Sequence, residues 1–221
     1  EDDFKPEETH VFFDVGGTKQ REELLPSYKE NRGLPPEGFS EQLEWVKKLT
    51  IALGFGVYQN PGFEADDLIA SAVEIYKKND RQILIVSADK DLAQLIDTNV
   101  EQLLPPPTAN PRLGWRILNV KGVFEKFGVD PKGILDYLAI IGDQSDNIPG
   151  LTGVGPKTAS KWLAEFGNLE NIILNAGRLK PKRFCSLVYE KREDLRRNQE
   201  LVRLDSDVNL TLSKINRANL V

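Results

Sequence analysis

The chain has 221 residues, 40% of them hydrophobic and 29% charged, with a formal net charge of −5; that suits one or two lobes with a real core. One His and one Cys nearly exclude a zinc site or Cys-His chemistry, and the single Cys185 rules out an internal disulfide and fits a reducing compartment. No signal peptide or transmembrane run is present, so no membrane partner is expected, and a chain that starts at Glu1 and contains no Met reads as less than an intact open reading frame.

Residues 1–8 are acidic and polar and read as a frayed terminus. His10 to Asp14 reads as a short buried strand, broken by Gly16 and Gly17. Residues 18–32 carry Arg21, Lys29 and Arg32 and read as an exposed loop or short helix. Residues 33–38, with Pro35 and Pro36, form a linker. Ser40 is placed to cap a helix running to about Leu53, with Leu43, Val46, Leu49 and Ile51 on one face and Trp45 in the core. Residues 56–58 are a strand candidate, and Asp66 to Lys78 reads as a helix. Gln82 to Ser87 is a near-continuous apolar run, as a strand in a parallel sheet requires. A helix is predicted over Asp91 to Ile96, a strand over Val100 to Leu104, a proline-rich loop over Pro105 to Pro111 and an edge strand over Trp115 to Leu118. Beyond Val120 the pattern is helical: Lys121–Phe127, Lys132–Ile141, Lys157–Phe166, Leu169–Ala176 and Lys182–Leu201. The expected fold is an α/β lobe, residues 1–119, with a mostly parallel central sheet flanked by helices, followed by a helical lobe, residues 120–221.

Carboxylates gather at the ends of these elements. Asp14 closes the first strand; Glu64, Asp66 and Asp67 open a helix; Asp89 and Asp91 follow the apolar run 82–87; Asp143 and Asp146 lie in a turn after a helix. In open α/β sheets the site lies at the carboxyl ends of the strands. Crowded carboxylates repel one another and cost desolvation. A cation is therefore expected among them, and hard oxygen ligands suit Mg²⁺ or Mn²⁺. Most carboxylate-metal enzymes act on phosphates. Taken alone, Asp14 reads as well as a turn cap, Asp89 and Asp91 as caps of the next helix, Glu64, Asp66 and Asp67 more readily as first-turn helix acids, and Asp143 and Asp146 as a solvated turn. The net charge argues against a nucleic-acid binder, but several acids are candidate ligands and the bases are unevenly placed. Arg178, Lys180, Lys182, Arg183, Lys191, Arg192, Arg196, Arg197 and Arg203 crowd one late stretch, which reads as a solvated helix face. Trp162 is assigned to the core and Cys185 to a small buried position; nothing marks His10 as a base or ligand.

A second informative segment runs from Pro149 to Ala159. Gly153-Val154-Gly155 lets the backbone pass close to a ligand without a Cβ in the way, and Pro156 suits the first turn of the following helix. With Lys157 and Thr158 this makes a phosphate seat at a helix N-terminus. The pattern is a helix-hairpin-helix, which grips DNA backbone without reading sequence. It is not a P-loop, because the spacing Gly-x₄-Gly-Lys-Ser/Thr is absent.

Four motifs in this order resemble the 5′–3′ exonuclease (flap endonuclease) family, known as the N-terminal domain of bacterial DNA polymerase I and its stand-alone relatives. They are Phe13-Asp14 with the arch-like segment 21–32, Gly62-Phe63-Glu64-Ala65-Asp66-Asp67, Ser87-Ala88-Asp89-Lys90-Asp91, and Gly142 to Ala159. The resemblance runs from about Glu8 to about Val208. It implies the PIN-like flap-nuclease fold with a helix-hairpin-helix lobe, and a Mg²⁺- or Mn²⁺-dependent nuclease with two ions. The implied substrates are DNA 5′ ends and 5′ flaps, and RNA–DNA duplexes. By the resemblance, Asp14, Glu64, Asp66, Asp67, Asp89, Asp91, Asp143 and Asp146 hold the ions directly or through water. Lys29 and Arg32 look like arch cations that offset phosphate charge, and Arg21 could contact the same strand. Gly153, Gly155, Lys157 and Thr158 would grip duplex phosphates, and in the family this hairpin often seats K⁺.

There are two departures from the family pattern. The family's first strand, ending in Asp-Gly, and the helix after it are not in this sequence. Gln20 and Glu22 stand where an aromatic and a His usually flank the arch Arg. These departures keep open an alternative, a DNA-binding relative without catalysis; a phosphatase or kinase would not explain the hairpin. The resemblance further suggests a monomer that works with a DNA polymerase in replication or repair. Its setting would be the bacterial cytoplasm and nucleoid, or a mitochondrion or chloroplast.

Overall fold

Short runs rich in β-branched and aromatic residues build the strands. We describe residues 4–16 and 18–212 of a computed structural model; Gly17 and the end of the expected 120–221 lobe, residues 213–221, lie outside the described residues. β1 (His10–Phe12) pairs in parallel with β2 (Gly56–Tyr58). β3 (Ile83–Val86) pairs in parallel with β4 (Val100–Leu104), and β4 pairs antiparallel with β5 (Arg116–Leu118). The parallel pairs expected of the α/β lobe are present, but they lie in two sheets rather than one central sheet.

α1 (Lys19–Leu24) and α2 (Phe39–Ala52) follow β1. Ser40 does not cap α2; Gly38 occupies that position in a left-handed conformation, φ 77°. α2 also corrects the expectation for Trp45, which is 69% exposed, as are Val46, Leu49 and Ile51 to similar degrees. The packed face of α2 carries Lys47 instead, whose amine sits 5.8 Å from the Phe13 ring and pairs with Glu44. A long aliphatic stem lets a lysine pack in this way. α3 (Ala65–Lys77) starts with a capping box formed by Glu64 and Asp67, and buries Leu68, Ala72 and Val73. The helix predicted at Asp91 is a single 3₁₀ stretch, Asp91–Leu95.

Beyond β5 the chain is helical: α4 (Val120–Phe127) packs back on β5, and α5 (Ile134–Ile141), α6 (Pro156–Phe166), α7 (Leu169–Leu174), α8 (Cys185–Glu190) and α9 (Arg192–Val202) follow. The helix expected over Lys182–Leu201 is broken into a 3₁₀ turn, α8 and α9, with a break at Lys191. α5 is nearly all apolar and packs against α6 and α9, with Ile134, Leu138 and Ile140 fully buried. Trp162 of α6 is in this core and donates its indole N–H to the Lys180 carbonyl at 2.7 Å. The same core takes in Tyr28, Ala93, Leu104 and Leu118 from the α/β lobe, so the two lobes share one apolar cluster.

β6 (Gly142–Asp143) and β7 (Ile148–Pro149) form a two-residue hairpin that presents the turn 144–147. Glycine is required on both sides. A Cβ on Gly142 would lie 2.3 Å from the Gly150 nitrogen, and one on Gly150 would lie 2.1 Å from the Ile141 carbonyl oxygen.

Candidate metal centre

Asp91, Asp143 and Asp146 each place a carboxylate oxygen within 4.8 Å of the others. They come from two backbone devices, the turn after β3 and the β6–β7 hairpin. Asp91 follows β3 through a turn in which Asp89 Oδ1 accepts from the Asp91 backbone N–H at 2.9 Å. Asp143 ends α5 through the Gly142 hairpin, and Asp146 lies in the turn it presents. Gln102, fully buried on β4, holds the incoming turn by donating to the Ser87 and Asp89 carbonyls at 3.0 and 2.6 Å.

Charge crowding is visible in the electrostatics. Burial, then the Asp89 charge, pushes Asp91 up to about 8, with Asp143 and Asp146 adding to the effect. Burial pushes Asp66 up to about 7, with Asp89, Asp14 and Glu64 contributing. Asp89, Asp14 and Glu64 thus act electrostatically on Asp66, while among the described residues the oxygens that converge within 4.8 Å are those of Asp91, Asp143 and Asp146; Asp14 accepts from the Ala65 backbone N–H at 2.6 Å. The Asp91 Oδ1 atom is buried and has no hydrogen-bond partner. An orphaned, buried carboxylate oxygen facing two further carboxylates is what a hard divalent cation fits.

Cations from other elements offset part of this charge. Lys29 Nζ lies 2.5 Å from Glu64 Oε1 and 3.9 Å from Asp146 Oδ2. Arg32 Nη2 lies 2.5 Å from Asp146 Oδ1. Lys90 Nζ lies 2.6 Å from Asp143 Oδ2. Burial works against the Asp143 charge, but the hydrogen bonds from Lys90 and Ser145 outweigh it and hold the carboxyl below its usual range.

The segment carrying Lys29 and Arg32 is tied to the Asp146 turn. The Lys29 backbone N–H donates to the Asp146 carbonyl at 3.0 Å, Asn31 donates to the Gln144 carbonyl at 2.6 Å, and Asn147 donates to the Ser27 carbonyl at 2.7 Å. Lys29 and Asn147 both have left-handed backbones, φ 56° and 57°. Such strain in non-glycine residues clusters at functional sites.

Two of the residues grouped with this site by sequence face mainly away from the Asp91 cluster, although Arg21 Nη1 also lies 3.3 Å from Glu64 Oε2. Arg21 is buried and donates to both Asp67 oxygens at 2.8 and 2.7 Å, and to the Leu201 and Arg203 carbonyls at 3.1 and 2.9 Å. This contradicts the reading of Arg21 as an exposed strand contact: its planar fork ties α1 to α3 and to the end of α9. Asp67 accepts from Arg21, from the Glu64 backbone and from the Asp205 backbone N–H at 2.9 Å. Its oxygens are therefore spent on capping and on the buried pair rather than aimed at the metal cluster.

Three contributors were not singled out by sequence. Tyr28 is buried, and its hydroxyl donates toward Glu64 and Asp146 at 3.2–3.3 Å. Burial and those two carboxylates raise its pKa, so it remains a donor. Gln102 and Lys90 are the others. Only the position of Lys90 between Asp89 and Asp91 offered a signal; Tyr28 and Gln102 act through tertiary contacts that spacing does not carry.

At the hairpin, Gly153 has φ 77° and a Cβ there would lie 3.7 Å from the Phe184 ring, while a Cβ on Gly155 would meet nothing within 4 Å. Pro156 opens α6, and Lys157 is exposed at its start. The late basic stretch is a solvated face for α9, where Arg196 pairs with Glu170 and Glu193, and Arg197 with Asp194.

A two-lobed fold with an acidic cluster and a helix-hairpin-helix defines a class of nucleic-acid-cleaving proteins, and the comparisons place the chain within it. Residues 1–128 match the family of the 5′–3′ exonuclease N-terminal resolvase-like domain, and residues 129–219 match the 5′–3′ exonuclease C-terminal SAM fold. The chain belongs to the 5′–3′ exonuclease family, a family of DNA hydrolases. It is 35% identical to a 5′–3′ exonuclease of Aquifex aeolicus over 220 residues, covering 98% of this chain and 72% of that protein. It is 37% identical to the thermostable DNA polymerase I of Thermus thermophilus over 200 residues, covering 90% of this chain but 23% of the polymerase. The chain thus spans under a quarter of such polymerase relatives. Among solved structures, a T5 5′-exonuclease with bound divalent zinc ions superposes with a TM-score of 0.81 at 27% identity, covering 93% of this chain and 77% of the other. The bacteriophage T5 flap endonuclease in a pseudo-enzyme–product complex with DNA and metal ions gives a TM-score of 0.78 at 26% identity, again covering 93% and 77%.

Proposed function

We propose that this chain is a Mg²⁺- or Mn²⁺-dependent 5′–3′ exonuclease and 5′-flap endonuclease acting on DNA in replication or repair. The observation that carries the reading is the convergence of Asp91, Asp143 and Asp146 within 4.8 Å, with a buried, unpartnered oxygen on Asp91. Asp91, Asp143 and Asp146 would hold one cation, and Asp14, Glu64, Asp66 and Asp89 a second, directly or through water. Ions bound there would supply a water of lowered pKa and a counter-charge for the leaving 3′-oxygen. A complex of the T5 flap endonuclease with DNA and metal ions supports the coarser reading of a metal-using DNA nuclease.

The chain's own residues have separate tasks in this reading. Lys29 and Arg32, already seated on Glu64 and Asp146, would offset charge on the scissile phosphate. Tyr28 orients Glu64 and Asp146 through its hydroxyl. Gly153, Gly155, Lys157 and Thr158 would grip the duplex backbone away from the cut, with K⁺ as a partner ion. Arg21 and Asp67 serve the fold that holds these groups in place.

Cleavage of a 5′-labelled flap duplex with Mg²⁺ or Mn²⁺, beside EDTA, tests the proposal. Metal-dependent release of short 5′ products is the expected result. DNA binding in Ca²⁺ without cleavage in Mg²⁺ would instead favour a non-catalytic DNA-binding relative, the reading that exposed Glu22 on α1 supports by placing negative charge beside the substrate path.

A further inference from the structure

The cations Lys29 and Arg32 belong to the site described above, but Lys90 leads to a separate group. Lys90 lies between two acidic residues at the end of β3, and its amine is held at 2.6 Å from Asp143. The strand register carries the next cation to the same end of the sheet. Val86, the last residue of β3, pairs with Leu103, and the adjacent Leu104 pairs with Arg116 on β5. Arg116 therefore stands at the edge where β3 releases the turn that contains Lys90. The third cation is Lys126, in the last turn of α4. α4 packs on β5, and its Phe127 meets Tyr137 of α5 edge-on at 5.7 Å. Tyr137 in turn feels the Lys90 charge.

Among the described residues, Arg116 and Lys126 have no carboxylate within ion-pair reach. Most other cations near the acidic cluster are paired. Desolvation, with repulsion from Arg116 and Lys90, holds Lys126 below the ordinary lysine range. Three like charges from three elements, two of them without a carboxylate partner and one, Lys126, with its amine 4.9 Å from the Phe127 ring, form a group that an anion would relieve.

We propose that Lys90, Arg116 and Lys126 form a phosphate seat for the DNA backbone beside the acidic cluster, separate from the helix-hairpin-helix. The inference rests on the reading of the chain as a DNA nuclease and adds a site for the strand on the β5 and α4 side. Lys90 bridges the two regions, because its Asp143 partner belongs to the cation cluster. A phosphodiester bound here would run toward the acidic site with its charge already neutralised.

The test is fluorescence anisotropy of a labelled flap duplex in Ca²⁺ across a salt series. Proteins compared are the wild type, the Arg116→Glu/Lys126→Glu double variant, the charge-keeping Arg116→Lys/Lys126→Arg variant, and Lys157→Ala as a hairpin control. Each phosphate that is no longer neutralised should flatten the slope of log K against log salt by about 0.9, so the charge-reversed protein should bind roughly tenfold or more weakly with a slope shallower by about two. The charge-keeping variant should bind as wild type, and the thermal melt of both should match it, since the two side chains are exposed. Unchanged affinity and slope in the charge-reversed protein, with Lys157→Ala weakened, would overturn the seat and leave the nuclease reading intact. Failure of the wild type to bind flap DNA at all would overturn both.

Discussion

Replacing Asp91 with Asn should change how the metal-free protein responds to pH, and the structure gives the size of the effect. Asp91 is held up to about 8 by burial and by Asp89, Asp143 and Asp146; in the unfolded chain it titrates near the ordinary 3.8. A folded-state pKa above the unfolded one means that the folded protein binds the extra proton. Stability is full below the unfolded pKa and is lost as pH rises through the folded one. Over pH 5 to 7 the folded state carries nearly one more proton at this position, so unfolding free energy falls by about 1.4 kcal/mol per pH unit from this group. That is roughly 3 kcal/mol across the interval, or a fall in Tm on the order of 6–12 °C for a chain of this size. Asp91→Asn removes the titration, so in EDTA its pH dependence over this range should be flatter than wild type by about that amount. Mg²⁺ should flatten the wild-type curve as well, because a bound cation stabilises the ionised form, and should do little for the variant. Urea melts at pH 5, 6 and 7, with and without Mg²⁺, provide the measurement. Equal pH slopes for wild type and Asp91→Asn in EDTA would show that Asp91 is not crowded by its neighbours, and the metal assignment would lose its electrostatic basis.

Arg21→Leu should destabilise the protein by about 3–5 kcal/mol, because it leaves the buried Asp67 charge uncompensated; chemical denaturation measures this, and a stable variant with impaired DNA binding would return Arg21 to the substrate path. Tyr28→Phe removes the hydroxyl shared by Glu64 and Asp146 and should weaken Mn²⁺ binding about 10- to 100-fold, as loss of ligand-orienting groups does; calorimetry reads the affinity, and an unchanged value would make Tyr28 a packing residue. Trp45→Ser should shift stability by under about 0.5 kcal/mol, since the side chain is largely exposed and its ring meets the Lys48 amine at 5.0 Å, and a larger loss would place the ring in a packing contact beyond that pair.

Much of the molecule was legible in the sequence for reasons that can be named. The apolar run Ile83-Leu84-Ile85-Val86 acts through local geometry, so the sequence located β3; around Asp143 it showed a turn after a helix but not the β6–β7 pairing. Pro156 after Gly155 marked the start of α6 for the same reason. Failures came where tertiary context chose among local options. The α2 pattern carries apolar residues on more than one face, and only packing decided that Lys47 turns inward while Trp45 turns out. Lys191 gave no breaking signal, yet α8 and α9 part there. Asp67 shows the limit most clearly. In sequence it is indistinguishable from Asp66, one residue away in the same acidic triplet. Helical geometry turns the two about 100° apart, sending Asp66 toward Asp89 and Asp14 and Asp67 toward Arg21.

That divergence also bears on how such a site can be stable before any cation binds. Most of the acidic groups have their charge offset: Lys29 faces Glu64, Arg32 faces Asp146 and Lys90 faces Asp143, while Asp66 and Asp91 are pushed up to about 7 and about 8; Asp14 and Asp89 accept only from backbone N–H groups. The cations come from segments that must reach across both lobes, so the neutralised cluster fastens the lobes as well as equipping the site. Binding a divalent ion would displace the protons first, because the ion takes their place as counter-charge to Asp66 and Asp91. The same event would free Lys29, Arg32 and Lys90 from part of their pairing and turn them toward an incoming phosphate. Cation binding and phosphate binding should therefore be coupled. Flap-duplex affinity, measured in Ca²⁺ and in EDTA at equal ionic strength, should rise with the ion by more than salt screening predicts. Alanine at Lys29 should shrink that rise, because one of the charges released by the ion is gone. A rise of the same size in Lys29→Ala would mean that the ion contacts DNA directly and that the protein's cations do not change partners.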